Sequence, residues 1–431
     1  MIQAAATPRA LRLLCSECGQ AAPDGTLFCE RCDGLLAYEV DVSTPLARED
    51  FLQTLAARRL SNADIDRSGV WRFRELLPPV PAEGIVTLRE GDVPRYAARG
   101  GSRYAGVEAL EYLHLGMNPT ASFKDFGMTV AISDARARGA RMAVCASTGN
   151  TSASMAAYAA RAGMIAAVLV PDGAISEAKL AQTLDYGARV VAIAGDFDAA
   201  LEVVRALDRR TYAIVNSVNP LRIEGQKTIA LVLLESRAWR VPDWIVLPGG
   251  NLGNSSAIGK GLREAKALGL IDRLPRLAVV QAEGAAPFVR AFESGDELIP
   301  VRAETSATAI KIGAPASWRK ALAEVRASEG VVLAVSDDEI ADARAIVGAE
   351  GIGCEPASAA SLAGIRKLRE RGTISARDDV VAILTGHLLK DTAYATRYHA
   401  SDAEHANRIR RVGGTDAARA ALQQLAEGAS Q

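Results

Sequence analysis

From residue 140 onward the chain alternates short apolar runs with amphipathic stretches, and this periodicity constrains the fold more than any other feature. Strands are expected at Arg141–Ala146, Ile165–Val170, Arg189–Ala194, Tyr212–Asn216, Asp243–Leu247, Arg276–Gln281 and Val380–Leu384. Between them, helices are expected at Ser152–Ala162, Ile175–Tyr186, Ala199–Asp208, Ile223–Glu235 and Ser255–Leu268. Apolar strands separated by helix-length segments build βαβ units, whose parallel sheets are covered by helices on both faces. There are more such units than one sheet usually holds, so the fold class is α/β with two subdomains. In such folds ligands meet the carboxyl ends of strands, where loops and helix N-termini converge.

Ahead of this region the pattern differs. Four of the six cysteines fall in two pairs, Cys15-Ser16-Glu17-Cys18 and Cys29-Glu30-Arg31-Cys32. Paired C-x-x-C knuckles offer four thiolates to one tetrahedral ion, with Gly19, Gly25 and Gly34 supplying permissive backbone for the turns. A structural Zn2+ is expected; free or redox-active thiols are the alternative. Val40–Glu75 reads as polar helix and linker broken at Ser43-Thr44-Pro45, and Leu77-Pro78-Pro79-Val80-Pro81 as an extended connection. Val86–Leu88 and Glu108–Leu115 are expected as strands of an antiparallel lead-in. The expected division is 1–40 ribbon, 41–120 extension and start of the catalytic unit, 121–220 smaller subdomain, 221–400 larger subdomain and 401–431 helical tail, with a surface helix at Ala417–Ala426.

Lys and Arg total 50 against 51 Asp and Glu, which gives no basic surface for nucleic acid or anionic membrane. No apolar run approaches bilayer length, and Met1–Leu14 lacks a secretory core, so an intracellular, cytoplasmic protein is expected.

Several motifs lie at the strand ends. In Asn118-Pro119-Thr120-Ala121-Ser122-Phe123-Lys124-Asp125, the lysine precedes an apolar helix, Phe126–Ala135. A cation at the positive end of a helix gains by losing its proton or forming an imine; a solvated helix start is the bland alternative. Ser147-Thr148-Gly149-Asn150-Thr151-Ser152 follows a strand and suits either helix capping or a ligand oxygen. Pro248-Gly249-Gly250-Asn251-Leu252-Gly253-Asn254 precedes a helix, and its glycines let successive N–H groups converge on an anion; a tight turn is the alternative. It matches neither the dinucleotide nor the triphosphate loop. Arg222 falls in a first helical turn, unfavourable unless it meets an anion. Thr385-Gly386-His387 ends the last strand, and there the loop carries more weight than the ring. Cys354 reads as packing. An imine-forming lysine with a phosphate cradle and no redox motif suggests pyridoxal 5′-phosphate.

Taken in order, these motifs resemble the threonine synthase family of fold-type II pyridoxal-phosphate enzymes, tryptophan synthase β-like in fold, on its plant-enzyme branch. Ser122–Val130, Pro248–Asn254, Ala307–Gly313 and Gln226-Lys227-Thr228 carry the resemblance, which spans about 65–400. It implies that Lys124 holds the cofactor covalently and shuttles protons. Asn150 would meet the ring hydroxyl, Gly249, Gly250, Asn251, Leu252, Gly253 and Asn254 its phosphate, and Thr385 the pyridine nitrogen. Ser147, Thr151, Asn216 and Arg222 would bind O-phosphohomoserine. Elimination of its phosphate, followed by water addition at Cβ, would give threonine. A ribbon on Cys15, Cys18, Cys29 and Cys32, a homodimer and an allosteric effector are also implied. The effector of plant relatives is S-adenosylmethionine, whose site the motifs do not place. Ala121, Phe126 and Leu388 depart from the family pattern, which bears on which amino acid is accepted. The competing functions are β-replacement or dehydration on the same fold, and a ribbon binding module on an inactive body.

Overall fold

The computed structural model describes residues 9–43, 46–172, 177–194, 202–204, 206–208 and 211–428. The chain forms two compact units, Met1–Lys390 and Asp391–Gln431. In the first, strands β1 (Leu11–Cys15) and β2 (Leu36–Val40) pair antiparallel as the ribbon. Helix α1 (Arg48–Arg59) and the single turn α2 (Asp64–Arg67) follow. Thr44 and Pro45, the expected break, lie outside the described residues.

The larger sheet has six strands. Its order is β11 (Val331–Val335), β10 (Arg276–Ala282), β9 (Trp244–Pro248), β12 (Asp379–Leu384), β4 (Ala109–His114), β3 (Arg95–Ala97). All neighbours are parallel except β3 against β4, where Arg95 faces Leu113. Val86–Leu88 is not a strand. Side chains hold this segment instead: Ser133 Oγ accepts from the Val86 N–H at 2.8 Å, and Thr129 Oγ1 donates to its carbonyl at 2.6 Å. Those bonds satisfy the backbone without a ladder partner.

The smaller sheet runs β7 (Arg189–Ile193), β6 (Ile165–Pro171), β5 (Met142–Ala146), β8 (Tyr212–Ile214), all parallel. The connecting helices include α3 (Arg99–Ala105), α4 (Lys124–Ala137), α5 (Asn150–Ala162), α6 (Glu177–Asp185), α7 (Pro220–Ser236) and α8 (Gly253–Ala267). Ile175 lies outside the described residues, as do 199–201 and 205 of the helix expected at Ala199–Asp208, of which residues 202–204 are helical. Beyond β10 come α9 (Pro287–Ser294), α10 (Trp318–Ala327), α11 (Asp337–Ala349) and α12 (Pro356–Glu370). The start of α11 is fixed by a capping box, Ser336 with Glu339.

One buried apolar cluster runs from the ribbon (Leu13, Leu36, Tyr38) through α4 and α7 to one face of the larger sheet. A second fills that sheet's other face against α11 and α12. A third covers the smaller sheet, where Leu27 of the ribbon joins Val144, Leu169 and Ile214. The ribbon is therefore part of the core.

In the second unit, α13 (Thr392–His399) is capped by Asp391, which accepts from the Tyr394 N–H at 3.1 Å. The expected surface helix lies within α14 (Thr415–Gly428). Among the described residues, no helix is long and apolar enough to cross a membrane.

Candidate active site

Two glycines set the geometry. Helices α4 and α7 cross where a Cβ on Gly127 would lie 2.6 Å from the Arg222 carbonyl oxygen, and one on Gly225 2.0 Å from that of Phe126. No larger residue permits this approach. It places the first residue of α4, Lys124, near the first turn of α7, which carries Arg222.

The start of α4 is locked from both sides. Asp125 is fully buried and accepts from the Thr120 N–H (2.8 Å), Thr120 Oγ1 (2.5 Å) and Ser154 Oγ (2.6 Å). Burial raises its carboxyl to about 6 against the pull of those donors. Ala121 adopts φ of +63°. The segment then docks on the end of β12: the Phe123 N–H donates to Thr385 O at 2.9 Å, and the His387 N–H to Ala121 O at 3.0 Å. Lys124 Nζ lies 3.9 Å from the centroid of the Phe123 ring. Its amine is lowered to about 7, first by burial and then by the charge of Arg222, while Glu355 opposes both. A lysine partly unprotonated near neutrality is a competent nucleophile.

Beyond β9, the 249–254 turn curls as expected but not through its glycines. Leu252 takes the left-handed conformation (φ +63°) at the N-cap position of α8. Gly249 and Gly250 are needed for closeness, since a Cβ would meet Val279 Cγ1 at 2.7 Å and Ala309 O at 3.2 Å respectively. Asn251 braces the turn by donating to Ser217 Oγ at 2.8 Å and accepting from the Ala316 N–H at 2.6 Å. Both carboxamide atoms of buried Asn254, with Ser255 Oγ and Ser317 Oγ, have no hydrogen-bond partner. Orphaned donors beside a helix N-terminus fit a phosphate group.

The Ser147–Thr151 turn opens α5, with Gly149 N–H donating to Ser147 Oγ at 3.3 Å. Ser147 and Thr151 flank Asn150, whose Nδ2 donates to Glu355 Oε2 at 3.0 Å. Asn216 is tied to the end of β5 through Ala146. Arg222 is buried, donates to Val215 O at 3.1 Å and leaves Nε unpartnered; burial lowers its guanidinium to about 10. Thr385 Oγ1 lies 2.9 Å from Ser358 Oγ and donates to Glu355 Oε1 at 3.4 Å. Glu355 thus joins Asn150 to Thr385, and its charge, with that of Arg222, acts on Lys124. The His387 ring instead stacks on His114, 6.0 Å away.

Sequence reasoning did not single out Glu355 or Ser358. The signal available in the sequence was an acidic residue directly before Pro356; in the structure it lies extended at the helix N-cap and its side chain does not cap the helix.

In the ribbon, the Cys15, Cys18, Cys29 and Cys32 sulfur atoms lie within 4.8 Å of one another. Gly19 and Gly25 are left-handed, as expected of glycine turns, but in the second knuckle Asp33 takes that conformation (φ 55°). Gly34 serves closeness instead: a Cβ there would lie 3.0 Å from Cys15 Sγ. Four convergent thiols are a tetrahedral zinc donor set. Cys145 and Cys354 are buried in the apolar clusters.

The profile of the family described as pyridoxal-phosphate dependent enzyme matches residues 86–386. A threonine synthase from Methanocaldococcus jannaschii is 42% identical over 388 residues, covering 89% of this chain and 94% of its own. One from Methanosarcina acetivorans is 45% identical over 385 residues, covering 88% and 92%. Among solved structures, threonine synthase from Escherichia coli superposes with a TM-score of 0.64 at 18% identity, covering 97% of this chain and 99% of that one. The last shows the shared fold.

Proposed function

This chain belongs to the pyridoxal-phosphate dependent enzyme family, among relatives that are threonine synthases, and on that premise we infer that it converts O-phospho-L-homoserine and water to L-threonine and phosphate. The observation that carries the reading is the partly unprotonated amine of Lys124 at the meeting of α4 and α7, with unpartnered polar groups around the 249–254 turn.

When bound, pyridoxal 5′-phosphate supplies the electron sink that stabilises negative charge on the substrate carbons. Lys124 would hold it covalently and would move protons to and from the substrate's Cα, Cβ and Cγ. Asn150 would orient the ring through its hydroxyl, and Thr385 would present a neutral hydroxyl to the ring nitrogen. Backbone amides of Gly249, Gly250, Asn251, Leu252, Gly253 and Asn254 would hold the cofactor phosphate. Ser147, Thr151 and Asn216 hold the amino acid. Arg222, already buried, receives the phosphate leaving Cγ as a charge-assisted pair, which favours its departure.

The reading extends to a structural Zn2+ on Cys15, Cys18, Cys29 and Cys32, a homodimer, an allosteric effector and a cytoplasmic setting. It also keeps the division into 1–40, 41–120, 121–220, 221–400 and 401–431. Purified protein incubated with O-phosphohomoserine should release phosphate and threonine in equal amounts. It should also show an absorbance band at roughly 410–420 nm that Lys124→Ala abolishes. Turnover of O-phosphoserine or free threonine alone would overturn the reading.

A further inference from the structure

Glu355 is a buried carboxylate that its own helix does not use. It occupies the N-cap of α12 without capping it, and its backbone N–H donates to Gly386 O at 3.0 Å. Its two oxygens divide between two elements. One accepts from Asn150 Nδ2 at 3.0 Å, at the start of α5 beside the smaller sheet. The other accepts from Thr385 Oγ1 at 3.4 Å, at the end of β12 in the larger sheet. Gly386 is what makes room, since a Cβ there would lie 2.3 Å from the carboxylate.

We propose that Glu355 is a positioning residue of the cofactor site, one carboxylate that sets Asn150 and Thr385 in register and supplies the negative charge facing Lys124. The inference rests on the cofactor reading above and deepens it. Asn150 and Thr385 are the two groups assigned to the hydroxyl and the nitrogen of the cofactor ring, and one follows β5 of the smaller sheet while the other follows β12 of the larger. A shared acceptor fixes their separation whichever way either loop relaxes. Among the described residues, the charges that act on Glu355 are those of Lys124 of α4 and Lys390 after β12; Arg222 of α7 also acts on Lys124, and Asp125 on Lys390. Burial raises the Glu355 carboxyl, while Asn150, the two lysines and Thr385 draw it back. Among the described residues whose charge acts on Lys124, Glu355 favours its cationic form and Arg222 opposes it.

The test is a pH titration of the visible cofactor band in the holoenzyme, paired with the dissociation constant for pyridoxal phosphate. Removing the charge in Glu355→Gln should lower the band's titration midpoint by about one pH unit and weaken cofactor binding about tenfold. Glu355→Asp keeps the charge but shortens the reach, so it should keep the midpoint and still bind the cofactor less tightly. A Glu355→Gln holoenzyme with the wild-type midpoint would overturn the proposal. Should Glu355→Gln fail to fold, Glu355→Asp decides alone, and wild-type affinity there overturns it. A wild-type chain that takes up no pyridoxal phosphate overturns the cofactor reading and this proposal together.

Discussion

Asn216 and Ala146 exchange a pair of hydrogen bonds. The carboxamide oxygen accepts from the Ala146 N–H at 3.3 Å and Nδ2 donates to its carbonyl at 3.2 Å. The side chain thus continues the pairing of β5 and β8 two residues past Ile214, the end of β8, and holds the start of the Ser147 turn. Asn216→Ala would strand two buried backbone groups, at about 1–3 kcal/mol. The substrate KM should rise along with the loss of stability, which thermal unfolding and steady-state kinetics on one sample would show. An Asn216→Ala enzyme with normal KM would mean that the Ser147 turn holds itself.

The amine of Lys124 lies near 7 rather than at an ordinary lysine's 10.5. Only the neutral amine attacks the cofactor aldehyde. Uptake by the apo-protein should therefore rise through pH 7 and level off by about pH 8, as the growth of the visible band would record. A rate still climbing above pH 9 would show an unperturbed lysine.

Arg222→Lys retains a charge but loses the planar fork. It should raise the KM for O-phosphohomoserine roughly 10- to 100-fold while the cofactor band persists. Sister enzymes that need no clamp at Cγ would be indifferent to this change.

His114 is almost wholly enclosed, with Nε2 donating to Gly353 O at 3.0 Å and Nδ1 accepting from the Gly116 N–H at 3.2 Å. Burial lowers it from 6.5 to about 4, opposed by the Gly353 carbonyl and helped by neighbouring His387. The unfolded chain takes up this proton first as pH falls. Stability should thus decline from pH 6.5 to 4 by as much as about 1.4 kcal/mol per pH unit from this one group. Urea unfolding across that range should show a shallower acid limb in His114→Gln than in the wild type.

Leu27 and Phe28, next to the third cysteine, pack with the apolar cover of the smaller sheet. Chelating the Zn2+ proposed for the ribbon, or Cys29→Ser, should lower the Tm by at least about 5 °C and speed amide exchange in β5 and β8. An unchanged Tm after complete metal removal would separate the ribbon's fold from its thiols.

Much of this was legible in the chain because parallel strands, buried on both faces, read as unbroken apolar runs; β6 and β12 fall within a residue of their expected limits. Lys124, Arg222 and the 249–254 turn were legible for a related reason, since each violates a local preference. The misses have physical causes. Val86–Leu88 has strand composition, yet Ser133 and Thr129, more than forty residues away, take its backbone groups. Local pattern carries no trace of such partners. Leu252 and Asp33 hold left-handed turns that composition assigns to the adjoining glycines. Glu355 escaped because its significance comes entirely from Asn150 and Thr385, which the fold brings to it.

The meeting of Gly127 and Gly225 also bears on how such an enzyme can diversify. Where two bare main chains touch, the spacing between the backbones that carry residues 124 and 222 is a property of the peptide chain, and no side-chain substitution along the contact can bring them closer. Even a single methyl at 225 would wedge the pair apart. New substrate preferences must therefore arise from the side chains ringing the two cations, because the helices themselves have no room to slide.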